Sequence, residues 1–151
     1  MRAVLQRVRN SSVEVGGEIV GKIDRGLLVL VAAERGDGPA EVQAMADKLS
    51  VLRIFSDAEG KMNLDIREAG GAFLIVSQFT LGASLRKGRR PSFNESAPPQ
   101  EAEPLVEALI EALKIRDFEV ATGRFGADMQ VELINDGPVT FVLEVRDGRV
   151  L

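Results

Sequence analysis

Apolar and polar residues alternate with a period of two through the first third of the chain. Val4, Gln6 and Val8 fall on one side of an extended segment and Ala3, Leu5 and Arg7 on the other, while Val13, Val15 and Ile19 flank a Gly16-Gly17 pair. Such alternation predicts strands, and paired glycines supply the positive φ of a tight turn, so a β-hairpin is expected. The unbroken run Leu27-Leu28-Val29-Leu30-Val31 predicts a central strand covered on both faces. After Gly38-Pro39 the spacing changes. Val42, Met45, Leu49 and Leu52 recur at three- and four-residue steps, predicting a helix that Pro39 opens at its first turn.

Ser56 to Gly60 is a polar turn, and Phe73-Leu74-Ile75-Val76 predicts a second buried strand that runs directly into Ser77-Gln78-Phe79-Thr80. A second helix is expected to start near Glu101 to Pro104 and to pack through Leu105, Leu109 and Leu113. Alternation returns at Met129, Val131 and Leu133 and again at Val139, Phe141, Leu143 and Val145, on either side of Asn135-Asp136-Gly137-Pro138. Strands, helix, strand, helix and strands, with no repeat or linker, predict one α/β domain over residues 1–151. The expected architecture is a curved mixed β-sheet or partial barrel with two packed helices.

Composition narrows the chemistry more than the fold. The chain has 151 residues, 45% hydrophobic and 28% charged, which suits one globular core. No apolar run approaches the roughly 20 residues of a membrane-spanning helix, and the first residues lack a signal-peptide pattern, so a cytoplasmic protein with no membrane partner is expected. There is no Cys and no His. That removes thiolate nucleophiles, disulfides, Cys- or His-ligated metals and any Ser-His-Asp triad. Hydrolytic chemistry would have to use hydroxyls, carboxylates, Lys, backbone dipoles or the substrate itself.

The net charge of −4 argues against broad, non-specific nucleic-acid binding. Yet Arg86, Lys87, Arg89 and Arg90 place four cations in five positions around Gly88. A local basic loop on an acidic protein suits a phosphate backbone gripped at one place, and it equally fits a solvated loop. Pro91 and Gly88 restrict and bend it.

Two further segments can carry chemistry. In Ser77-Gln78-Phe79-Thr80-Leu81, polar groups follow a buried strand, where many α/β proteins place ligands. Thr80 offers a hydroxyl, Gln78 a paired donor and acceptor, and the backbone N–H groups can face an oxyanion; a strand that simply ends in a polar loop has the same pattern. Asn135-Asp136-Gly137-Pro138 reads as a hairpin turn, since Asp-Gly is a strong turn signal. Pro138 strains that reading, because it cannot donate to a ladder, and X-Pro is the one bond where cis is readily accessible. A cis Gly-Pro bond would aim two carbonyl oxygens the same way, a suitable grip for an ammonium group.

Together these segments resemble the D-aminoacyl-tRNA deacylase family. The resemblance runs through Met1-Arg2-Ala3-Val4-Leu5-Gln6-Arg7-Val8, Gly26-Leu27-Leu28-Val29-Leu30, Leu52-Arg53-Ile54-Phe55 and Gly60-Lys61-Met62-Asn63, then Ser77 to Leu81, Arg86 to Phe93, Thr122 to Met129 and Asn135 to Thr140. It covers nearly the whole chain, in order. It implies a homodimeric hydrolase of carboxylic esters, without metal or cofactor, that acts on the acceptor end of aminoacyl-tRNA in translational proofreading. Gly137-Pro138 would be cis and enter the partner's site, where its carbonyls hold the substrate amino group and leave no room for an L side chain; glycyl esters would pass. Ser77, Gln78, Phe79 and Thr80 would line the pocket for the terminal adenosine and the ester. Arg7 and Met129 match positions that brace the Gly-Pro loop, and Arg86, Lys87, Arg89 and Arg90 would contact tRNA phosphates.

With no His, Thr80 lacks the usual base for a nucleophile, so the expectation is substrate-assisted hydrolysis with Thr80 in a positioning role. Two features depart from the family pattern. Gly82-Ala83-Ser84-Leu85 stands where an aromatic residue followed by Asp-Thr is more usual, and Arg146 to Leu151 extends past the usual ending. Two rival readings share the resemblance: the sister deacylase that removes L-alanine from the wrong tRNA, and a tRNA-end binding module without catalysis. Ser77-Gln78-Phe79-Thr80 favours the D-specific family.

Overall fold

A computed structural model describes residues 1–151. The expected hairpin joins β1 (Arg2–Val15) to β2 (Glu18–Ile23) through Gly16 and Gly17, at φ of 56° and 84°. β1 is long enough to serve as a spine. One of its edges pairs antiparallel with β3 (Gly26–Ala32) from Arg2 to Val8 and then with β2 from Ser11 to Val15. Its other edge pairs with β8 (Gln130–Arg146) from Arg2↔Glu144 to Glu14↔Gln130.

Beyond β3 the sheet turns parallel, with β6 (Ala72–Ser77) and then β7 (Val120–Thr122). Parallel neighbours need crossovers, and the helices supply them. α1 (Pro39–Val51) lies between β3 and β6, and α2 (Pro99–Ile115) between β6 and β7. Both pack on the same face of the sheet, against each other.

The two-residue period divides the central strands between two cores. Leu27, Val29, Val31, Phe73 and Ile75 face the helices and join Val42, Met45, Leu49, Leu109 and Leu113. Leu28, Leu74 and Val76 point the other way, to Val8, Val13 and Ile23. On that concave face β2 curls until the Gly21 backbone meets the Thr122 carbonyl of β7, so the sheet closes into a half-barrel. Fully burying each such side chain contributes about 1.5–3 kcal/mol, which explains why β3 and β6 read as continuous apolar runs. No helix is long and apolar enough to cross a membrane.

Three boundaries differ from the sequence reading. α2 begins at Pro99, with Pro104 inside it, rather than between Glu101 and Pro104. Pro99 takes the favoured first helical position, and Ala102 and Val106 bury one face of the opening turns. Leu52 caps α1 half-buried instead of completing its stripe. The polar turn after Ser56 sits in a short hairpin of β4 (Phe55–Ser56) and β5 (Met62–Leu64).

The C-terminal extension also has a place. After a turn at Asp147-Gly148, β9 (Arg149–Val150) folds back on β8. The Gly148 N–H donates to Glu41 Oε1 at 2.8 Å, and Glu41 Oε2 accepts the Gly38 N–H at 2.8 Å. Glu41 is buried, and it ties the start of α1 to the tail. The Gly148 hydrogen bond holds its carboxyl below the ordinary value of 4.5; burial opposes this, and the Gly38 bond adds to it.

A carboxyl with a lowered folded-state pKa stabilises the fold above its unfolded pKa and loses that contribution as pH falls through the folded one. Thermal unfolding followed downward from neutral pH should therefore show a steeper loss for the wild type than for Glu41→Gln, beginning near pH 4.5. Parallel curves would remove Glu41 from the acid limb.

Candidate active site

The carboxyl ends of the parallel strands β3 and β6 open into a cavity of about 610 Å³. The Gln78 N–H donates to the Val31 carbonyl at 2.8 Å, the last tie of β6 to β3 before the backbone tightens into a 3₁₀ turn over Phe79–Gly82. Ser77, Gln78 and Phe79 line the cavity, as does Met129. Thirteen of its twenty lining residues are hydrophobic, so polar groups there work in a partly desolvated space. Thr80 lies outside the lining: it is exposed on the turn, and its Oγ1 accepts a hydrogen bond from Gln78 Nε2.

Gly82, a departure from the family pattern, has a steric reason here. It is buried, and a Cβ on it would come within 2.5 Å of Ser96 Oγ. That buried hydroxyl donates to the Phe79 carbonyl at 3.1 Å and pins the 3₁₀ turn from below. Arg2 Nη1 donates to the Leu81 carbonyl at 3.0 Å and holds the same turn from β1. Neither Ser96 nor Arg2 carries a sequence signal for this role, because both act across long separations in the chain.

The basic residues sit at the tip of the next loop. Ser84 and Ser92 exchange backbone hydrogen bonds at 2.8 and 3.0 Å and close its neck, with Gly88 at φ 72° in the bend. Arg86, Lys87, Arg89 and Arg90 are all exposed, and none forms an ion pair. The loop returns to the cavity at Phe93, whose ring packs against Phe79 with centroids 5.1 Å apart and planes 54° apart. Arg35 is the single charged residue of the lining, and nothing in the sequence singled it out.

Asn135-Asp136-Gly137-Pro138 is not a hairpin turn. β8 continues straight through it, pairing Asn135 with Val8 and Thr140 with Gln6, so four residues bulge opposite Arg7 alone. The long β1 offers partners on both sides of the bulge, which a reversing turn would forgo. The Gly137-Pro138 bond is cis.

Side chains staple the bulge at its base. Asn135 Nδ2 donates to Thr140 Oγ1 at 2.8 Å, and Asn135 Oδ1 accepts the Val139 N–H at 2.7 Å. Arg7, 9% exposed, donates from Nε to the Asp136 carbonyl at 2.9 Å and from Nη1 to the Ile54 carbonyl at 2.7 Å. Arg7 is thus hydrogen-bonded to the loop of its own chain. Met129 is not: it lies in the cavity, its Sδ accepting the Arg124 N–H at 3.4 Å. Gly137 and Pro138 are exposed and are no part of that cavity. One chain therefore presents a cavity and a projecting bulge at separate places.

Comparison with known proteins gives a consistent result. The family model described as D-Tyr-tRNA(Tyr) deacylase matches residues 4–144. A D-aminoacyl-tRNA deacylase of Chloroflexus aurantiacus is 56% identical over 150 residues, covering 99% of this chain and 94% of the relative. One of Pseudomonas paraeruginosa is 57% identical over 144 residues, covering 95% and 99%. Among solved structures, the c-Myc DNA Unwinding Element Binding Protein superposes with a TM-score of 0.91 at 39% identity, covering 97% of this chain and 99% of that one. A structure described as "a probable eukaryotic D-amino acid tRNA deacylase" shares the fold, with a TM-score of 0.76 at 20% identity, covering 93% and 97%.

Proposed function

The chain belongs to the D-Tyr-tRNA(Tyr) deacylase family and is a hydrolase of D-aminoacyl-tRNA, and on that premise we propose that its active site is completed by a second copy of the chain. The observation that carries this reading is the separation of the cavity from the bulge. Each chain has a pocket fit for an adenosine ester and a projecting Gly137-Pro138, and only a partner can bring the second to the first. The exposed apolar residues Ile134 (52%), Phe141 (41%) and Val142 (65%) on β8 support an interface there.

In the completed site, Ser77 and Gln78, with the backbone of Phe79, hold the terminal adenosine. The carbonyls of Gly137 and Pro138 from the other copy accept hydrogen bonds from the substrate α-ammonium. An L side chain would point into that backbone and a D side chain away from it, while glycine has none to exclude and is also hydrolysed. Met129 lies in the cavity, where it would brace the incoming loop of the other copy. Arg86, Lys87, Arg89 and Arg90 meet the phosphates of the acceptor end.

Hydrolysis proceeds by attack of water on the ester carbonyl and cleavage of its bond to the ribose oxygen. The proton from water ends on that oxygen, releasing free tRNA and the D-amino acid. No His exists in the chain and no Lys or carboxylate lines the cavity, so the neighbouring ribose hydroxyl orients the water. The N–H groups that open the 3₁₀ turn, the donors a helix start leaves free, face the developing oxyanion. Thr80, bound to Gln78, positions that amide.

Incubation with D-, L- and glycyl-tRNA esters tests the function. Release of the D and glycyl residues, with the L-ester spared, is the expected result; comparable loss of the L-ester would overturn it. Thr80→Ala should keep turnover within about tenfold of wild type, a positioning effect of roughly 1.4 kcal/mol. Abolished turnover with tRNA binding intact would instead make Thr80 the nucleophile.

A further inference from the structure

We propose that the cavity rim is a second nucleotide subsite, for the residue that precedes the terminal adenosine, with its base on the Phe79–Phe93 pair and its phosphate on Arg35. The proposal rests on the deacylase reading above and extends it by one nucleotide. Phe55 and Phe73 are fully buried, whereas Phe79 and Phe93 stand 59% and 40% exposed. Single exposed apolar residues are ordinary, but two exposed rings in contact on the lining of one cavity form a surface for a third ring.

Arg35 supplies the complementary charge. Its backbone N–H donates to the Glu95 carbonyl at 2.9 Å and its Nε to the Asn94 carbonyl at 2.8 Å, which ties the exposed side chain to the residue after Phe93. Nη1 and Nη2 have no partner, and no carboxylate pairs with the guanidinium. A cation so held, in a lining otherwise free of charge, suits a bound phosphate. Stacking rings beside a fixed cation are how single-stranded nucleic acid is gripped without reading its sequence. Phe93 lies three residues after Arg90, so the rim is the part of the cavity that adjoins the Arg86–Arg90 loop along the chain.

Two D-aminoacyl esters separate the outcomes: one of adenosine and one of the dinucleotide cytidylyl-adenosine. Wild type should favour the dinucleotide ester by about tenfold in kcat/KM, mostly through KM, as one stacked base provides. Phe93→Ala and Arg35→Gln should each erase most of that preference, and Phe93→Leu, which keeps apolar packing at the rim, should erase it too. Binding of the unacylated dinucleotide against adenosine should show the same gap without turnover. If the deacylase reading fails, hydrolysis disappears while this binding gap remains. The subsite itself is overturned if wild type makes no distinction between the two ligands, or if the variants weaken both equally. Conversion of a dimer to a monomer by Phe93→Ala would place the second copy on the rings and overturn it as well.

Discussion

Gly137→Ala should lower kcat/KM for D-aminoacyl-tRNA by at least about a hundredfold, equivalent to roughly 2.7 kcal/mol of transition-state stabilisation. Gly137 has φ of 146°, where L side chains are rarely found. A Cβ there would approach Val139 Cγ2 to 2.7 Å, the Val139 backbone nitrogen to 3.0 Å and Arg7 Nη2 to 3.3 Å. The Val139 methyl can turn aside, but the backbone nitrogen is held by Asn135 Oδ1 and the guanidinium by two carbonyls. The loop itself must move, at a cost on the order of 1–3 kcal/mol, and with it the proposed grip on the substrate ammonium. Val139→Ala added to Gly137→Ala should restore little, because the backbone conformation remains the obstacle. The bulge lies on the rim of the sheet, so thermal stability should fall far less than activity. Full activity in Gly137→Ala would end the assignment of this loop as the selecting element.

Much of the fold was legible because it rests on local periodicity. β3 and β6 appear as apolar runs since both their faces are buried, and the Gly16-Gly17 hairpin follows from two positive φ values. The bulge was not legible. Asn135-Asp136-Gly137-Pro138 has turn residues, and a turn and a bulge use the same backbone conformations. The distinction lies in β1, which supplies partners to both halves of β8 from the other end of the chain. Nor could alternation show that Val131 and Leu133 pack in one core and Leu143 and Val145 in the other.

The candidate site divides the same way. Ser77 to Phe79 could be placed from the strand that precedes them, and the loop cations from their clustering. Arg35, Ser96 and Arg2 could not, since each acts on a segment distant in sequence. Gly82 illustrates the limit: as an isolated letter it reads as a missing side chain, and in the fold it is the space that Ser96 occupies. The burial of Glu41 depends on the tail that folds back over it, a contact between positions 107 residues apart in the chain.

Arg7→Ala should destabilise the fold by about 2–4 kcal/mol, because the buried Ile54 carbonyl and the half-buried Asp136 carbonyl lose a charged donor and the guanidinium leaves a void. The Asp136 and Ile54 carbonyls lie on different elements, β8 and the segment after α1, and only a planar fork with separated N–H groups bonds both at 2.9 and 2.7 Å. Arg7→Lys should therefore recover part of the stability without restoring the loop, since one ammonium cannot hold the same two directions. With the Asp136 carbonyl free, the bulge keeps the Asn135 staple and loses its inner support. On the proposed reading, D-over-L preference should then fall more than total ester hydrolysis, because the pocket residues Ser77 to Phe79 lie outside the bulge. Denaturant unfolding of the three proteins gives the first quantity, and release from D- and L-esters at a temperature where all remain folded gives the second. A stability loss with unchanged chiral preference would leave Arg7 a purely structural residue. Wild-type stability in Arg7→Ala would show that water or another donor reaches both carbonyls, against the burial of the guanidinium that now fills the space.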